Sequence, residues 1–188
     1  MPKKRLILFL LLFLTLHAPS YALDVGKAAS FGLGWVAGIY LHEMGHAAVA
    51  LAQGGKVEEL GFAYTNVGFQ GSTDEVRGKF RVTDLAGYAT QTLVSEIVLQ
   101  HQEWHRSDFA LGLLTFGIFN NVNNLVRYYF LGERGPMDLA AFERQGGDPT
   151  IPAILMALHA AFSVYRIFNK SAIVPYIGSD ILGFSTRF

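Results

Sequence analysis

"GIYLHEMGHAAVALA", residues 38–52, places three ionisable side chains, His42, Glu43 and His46, inside an otherwise apolar run. An ionisable group at the centre of a bilayer costs about 3 kcal/mol on insertion scales, and such groups face a bundle interior or a wet cavity and mark a function. On a helix, positions i and i+4 share a face. His42 and His46 therefore point the same way, with Glu43 beside them. This is the HExxH pattern, in which two imidazoles hold one zinc ion and the glutamate serves as general base toward a zinc-bound water. The competing reading has two histidines hydrogen-bonding neighbours at a helix interface, and it leaves the local density of charge unexplained.

Working back along the same helix, Ser30, Gly34 and Gly38 step by four toward His42 and His46. A stripe of small residues lets a second helix approach closely. Because it runs into the histidines, the ligand face is expected to point into the bundle.

The composition agrees with a membrane setting. The chain has 188 residues, 51% hydrophobic and 16% charged, which is too apolar and too charge-poor for an ordinary soluble domain. Fifteen basic and fifteen acidic residues cancel, so nothing suggests a nucleic-acid partner. The absence of cysteine excludes disulfides, thiolate catalysis and Cys-type zinc sites, so any metal must use histidine and carboxylate.

Residues 1–22 have the parts of a secretory signal: basic "MPKKR", apolar "LILFLLLFLTL" and "HAPSYA", with Ser20 and Ala22 compatible with cleavage. An uncleaved first helix is the alternative, and both leave residue 25 on the outer side. The expected organisation is a signal segment over 1–22, a membrane-embedded domain over 23–170 and a tail over 171–188. The fold class is mainly α, a polytopic membrane bundle of about four helices after the signal segment.

The first helix is expected from about Lys27 to Ala52, stopped by Gly54 and Gly55. The second starts near the capping-type residues Thr83 and Asp84 and runs through "LAGYATQTLVSEIVLQ". The third spans about 108–131, and the fourth is "TIPAILMALHAAFSVYRIF", with Pro152 suited to a first turn. Between the first two helices, "KVEELGFAYTNVGFQGSTDEVRGKFRV" reads as two or three short strands, a small hairpin or sheet insertion. Tracing alternate spans puts Lys56, Arg77, Lys79, Arg81, Arg134 and Arg144 on the inner side, so His42 and His46 fall in the inward half of the first helix.

A catalytic zinc needs a third protein ligand. "AAVALAQGG" after His46 lacks the third histidine of the metzincins. Glu58, Glu59 and Glu75 lie in the strand-like segment, not on a following helix as a thermolysin-type ligand would. An aspartate beyond the third helix remains, and "GERGPMDLAAF" offers Asp138.

"HEMGHAAVALAQGGKVEELGF", then "DLAGYATQ", then an asparagine-containing helix leading to "GPMDLAAF", resembles the site-2 protease type of intramembrane zinc metalloprotease, in particular its short bacterial relatives. The resemblance covers roughly residues 27–148, with "MDL" standing where the family has an LDG-like motif. It implies Zn2+ held by His42, His46 and Asp138, with Glu43 as catalytic base. It also implies a membrane-protein or peptide substrate, a location in a bacterial inner membrane, and pairing of an unwound substrate with the strand segment. Residues 56–71 could serve that pairing or simply cover the end of the bundle.

Other polar residues have two readings each. Asn120, Asn121, Asn123 and Asn124 fall within the third helix, where asparagine bonds helix to helix. The functional reading has Asn124, or Asn121, positioning substrate or an oxyanion. Glu96 is expected to pair with Arg127 or to line a wet cavity. "HQEWH", residues 101–105, reads as an interfacial cap with Trp104 at headgroup level, and His159 as a hydrogen-bonded packing residue. Two other classes compete with the protease: a non-catalytic relative that binds membrane proteins, and a diiron oxygenase built from His42, His46, the second histidine pair and His159. The oligomeric state is not legible.

Overall fold

The computed structural model describes residues 24–169 other than 102, 105, 106 and 136, together with the backbone of 172–177 and 182–187. The signal segment expected over 1–22 and His105 of the second histidine pair lie outside the described residues. The protein is mainly helical: α1 Val25–Ala52, β1 Lys56–Leu60, β2 Thr65–Gly68, α2 Thr73–Gln100, α3 Asp108–Leu125, α4 Asp138–Arg144, α5 Thr150–Asn169, β3 Ala172–Ile177 and β4 Leu182–Arg187.

Asp24 caps α1 by accepting from the Lys27 backbone N–H at 3.2 Å. At the other end Gly54, at φ 75°, sends its N–H to Leu51 O, and the Gly55 N–H reaches Ala50 O at 2.8 Å. This closure satisfies the last carbonyls of the helix and needs a residue free to adopt positive φ. The chain then turns directly into β1, which pairs antiparallel with β2, Leu60 opposite Thr65. A hairpin was expected here and is found.

The second helix starts earlier than expected. It opens at Thr73, preceded by Ser72, so Thr83 and Asp84 are interior positions and not caps. Asp74 and Glu75 occupy its first turn, and Glu75 pairs with Lys79 one turn on at 2.7 Å. Acidic residues at a helix N-terminus and such i,i+4 pairs favour helix without any apolar stripe. Periodicity therefore missed the charge-rich stretch over 73–82.

α1 packs against α3 and α2, and α3 also packs against α5. The small-residue stripe works as expected: a Cβ on Gly34 would meet the backbone of Phe109, and one on Gly38 would meet the Phe116 ring at 2.6 Å. α3 passes into a π-helical turn, Val126–Phe130, before a loop leads to α4. That short helix is fixed by Leu139 and Ala140, both fully buried, in an apolar cluster with Tyr88, Tyr128, Met137, Ala153 and Met156.

Large apolar side chains face outward, and polar ones are buried beside the apolar clusters. Leu155, Leu158, Phe168, Phe119 and Phe130 are exposed, while Gln91, Ser95, Asn121, Asn124, Ser163 and Arg166 are buried. Apolar side chains outside and polar ones turned inward is the pattern that lipid favours. Two helical stretches, Asp108–Phe130 and Thr150–Asn169, are long and apolar enough to cross a membrane. The tail expected over 171–188 holds β3 and β4, paired antiparallel from Ala172 opposite Arg187 to Ile177 opposite Leu182.

Candidate metal centre

Every fourth residue of α1 from Gly34 to Ala50 is buried, and His42 and His46 occupy two of those positions. Each is received by a different element. The Nδ1–H of His46 donates to the Thr83 carbonyl on α2 at 2.7 Å. A carbonyl can only accept, so Nδ1 carries the proton and Nε2 presents its lone pair to the site, the second contact that metal-bound histidines usually make. His42 packs edge-on against Tyr88 of α2 and Phe116 of α3, with ring centroids 5.3 and 6.4 Å away.

Asp138 arrives from the first residue of α4. It is flanked by the buried Met137 and Leu139, which anchor the backbone on either side. Arg144 holds the preceding loop by donating to the carbonyls of Arg134 and Gly135 at 2.8 and 3.0 Å. Burial pushes the Asp138 carboxyl up, but the adjoining imidazoles of His42 and His46 outweigh it and hold the group below the usual carboxylate range. It is an anion facing two imidazoles.

The separations suit a tetrahedral ion. Zinc–nitrogen and zinc–oxygen distances of about 2.0–2.1 Å imply ligand-to-ligand edges of about 3.3–3.4 Å. His42 Nε2 lies 3.2 Å from His46 Nε2 and 2.9 Å from Asp138 Oδ2, while His46 Nε2 lies 3.6 Å from Asp138 Oδ1. Among the described residues, these three form the one group of three potential ligands whose atoms lie within 4.8 Å of one another. Gly87 on α2 creates the space: a Cβ there would sit 2.6 Å from His42 Nε2 and closer still to His46 Nε2. The glycine of "DLAGYATQ" is thus a void shaped by two imidazoles. Donor set, spacing and void all fit a zinc ion.

Glu43 is buried on the adjoining face of α1, and its Oε2 accepts from Thr65 of β2 at 2.8 Å. Sequence reasoning did not single out Thr65, since no local pattern marks a threonine brought in by a hairpin. The asparagines of α3 go to different neighbours. Asn124 donates to Asn120, and Asn121 donates to His159 Nδ1 at 3.1 Å. The asparagine beside the metal group is Asn120, whose Nδ2 lies 3.3 Å from His42 Nδ1 and 3.1 Å from Gln91 Oε1.

Glu96 does not pair with Arg127. Its partner is Arg166 of α5, at 2.6 Å, while Arg127 pairs with Glu133. His101 bonds the Ile97 carbonyl and stacks on Trp104 at 4.4 Å, as suits a helix-end cap. His159 is engaged by Asn121 and lies 3.9 Å from Glu96. Neither joins His42 and His46, so the described residues give a diiron histidine box no support.

A family model described as Peptidase M50B-like matches residues 6–130. No curated protein and no solved structure matches the chain.

Proposed function

The chain belongs to the Peptidase M50B-like family, the site-2 protease family, whose members are membrane-embedded zinc metalloproteases, and from that premise we propose that it is a zinc endopeptidase cleaving membrane-anchored proteins within the bilayer. The observation that carries the reading is the convergence of His42, His46 and Asp138 from elements far apart in the chain, with separations suited to a tetrahedral ion. A zinc ion bound there supplies a Lewis acid and a water whose pKa falls toward about 7.

The chain's own residues supply the rest. His42, His46 and Asp138 would hold the ion, the histidines neutral and the aspartate ionised. Glu43, next to His42 on α1, takes a proton onto its carboxylate as water attacks the peptide carbonyl, then delivers it to the departing amine nitrogen. A peptide bond inside a helix is shielded by its own hydrogen bonds, so the substrate segment must unwind to be cut. β1 and β2 beside Glu43 offer an edge on which extended backbone can pair with little demand on its sequence. The substrate is accordingly a membrane-anchored protein, and the site lies in the inward half of the bundle in a bacterial inner membrane.

The test is metal content and hydrolysis in the purified full chain. One zinc per chain is expected, with cleavage of a membrane-anchored reporter. Glu43→Gln should keep the zinc and lose the cleavage. Protein that stays metal-free under zinc-replete conditions overturns the assignment. Full zinc occupancy without any Glu43-dependent cleavage would instead make the chain a non-catalytic member that binds membrane proteins.

A further inference from the structure

The hairpin touches the metal-site helix through one polar contact that bears directly on the chemistry. Thr65 opens β2 opposite Leu60, and its Oγ lies 2.8 Å from Glu43 Oε2 and 3.1 Å from the Glu43 carbonyl oxygen. A hydroxyl has one proton to give, and the shorter contact marks its acceptor. The carboxylate therefore takes it. No hydrogen bond to Oε1 is present among the described residues.

Two further contacts show that the hairpin is held in place. The Gly61 N–H closes its turn onto Tyr64 O at 2.9 Å, and Phe62 packs edge-on against Tyr40 of α1 at 5.7 Å, close to His42 in sequence. At its other end, β1 follows directly from the glycine closure of α1. Thr65 is thus delivered by an element pinned to α1 at both ends.

A glutamate side chain has three rotatable bonds, and a free one would sweep through many positions. A general base must instead stand within hydrogen-bond reach of the proton it accepts. Misplacement by about 1 Å can cost on the order of a hundredfold in rate. We propose that Thr65 is the positioning residue for Glu43: its hydroxyl fixes Oε2, leaving Oε1 as the oxygen that receives the proton. The hairpin then contributes to the chemical step as well as to substrate binding. This rests on the reading of Glu43 as general base, and the experiment separates the two.

The experiment uses the zinc-loaded full chain with Thr65→Val, which keeps the shape of the side chain and removes the hydroxyl, and Thr65→Ser, which restores it. The infrared difference between wild type and Glu43→Gln isolates the carboxylate stretches of Glu43, whatever the activity. Thr65→Val should shift those bands and Thr65→Ser should return them. On a membrane-anchored fluorogenic reporter, Thr65→Val should keep one zinc per chain and its KM while kcat falls about ten- to a hundredfold, with Thr65→Ser close to wild type. Unshifted bands, or a raised KM with kcat unchanged, overturn the proposal and leave Glu43 as the base. Full cleavage by Glu43→Gln overturns the base assignment itself. Should Thr65→Val lose its zinc, Thr65→Ala provides the same infrared comparison.

Discussion

His42 and Asp138 stand 96 positions apart in the chain, yet His42 Nε2 and Asp138 Oδ2 lie 2.9 Å from each other. The contact joins α1 to the start of α4, and neither element could supply the site alone. Asp138→Ala should remove a ligand without disturbing its setting, because Met137 and Leu139 anchor the backbone and Arg144 clamps the loop. The loss of zinc affinity should exceed the ~10–100-fold typical of removing a partner that merely supports a ligand. Competition with a chelating dye measures it. Undiminished zinc binding would mean that another carboxylate completes the site.

Gly87→Ala is expected to act through volume alone. Its methyl group would press on the imidazoles of both His42 and His46, with His42 Nε2 at 2.6 Å. These rings have nowhere to retreat, since His46 is tied to Thr83 and His42 is walled by Tyr88 and Phe116. The variant should remain helical by circular dichroism while zinc affinity falls at least about tenfold. Normal zinc content would show that α2 can shift away. The helix propensity of alanine exceeds that of glycine by about 1 kcal/mol, so a loss of fold is not the expected cause.

These cases show what a linear reading can reach. The i,i+4 histidines, the stripe of Gly34 and Gly38 and the stop at Gly54 are local patterns, and each has a counterpart in the structure. The start of α2 was missed because Asp74, Glu75 and Lys79 stabilise helix through charge, which leaves no apolar period to read. The partner of Glu96 was missed for a different reason. Arg127 and Arg166 carry the same side chain, and only the packing of α5 against α2 and α3 decides between them. Likewise Asn120, Asn121 and Asn124 are chemically identical, and their separation into neighbours of His42, of His159 and of Asn120 itself follows from helix rotation, which sequence does not specify.

The pair Glu96–Arg166 should be a major support of the bundle. Arg166 is fully buried and donates to Glu96 Oε2 at 2.6 Å. Glu96→Gln leaves that guanidinium charged and without a counter-ion, and breaking a buried pair in this way costs about 3–5 kcal/mol. Its midpoint of thermal unfolding in detergent should fall markedly. The double variant Glu96→Gln with Arg166→Met removes both charges and should recover most of the loss. Equal destabilisation in the single and double variants would show that packing, not charge pairing, is what these residues provide.

Asn120 should tune the metal through His42. When Nε2 of a histidine binds a metal ion, Nδ1 carries the proton and needs an acceptor, and such partners are worth about 10–100-fold in affinity. Asn120 is the side chain beside that nitrogen, 3.3 Å from it, and Gln91 steadies it at 3.1 Å while donating to Gly117 O at 2.8 Å. An amide offers a donor on one side and an acceptor on the other, so half a turn of the Asn120 amide would present its oxygen to the Nδ1–H, and the Gln91 amide would have to turn with it and give up its bond to Gly117 O. Asn120→Leu fills the space without an acceptor and should weaken zinc binding about tenfold or more. Asn120→Asp offers an acceptor in both orientations and should retain the affinity. Equal affinities for the two variants would mean that His42 is oriented by Tyr88 and Phe116 alone, and that the polar chain from Gly117 through Gln91 serves only to pack α2 against α3.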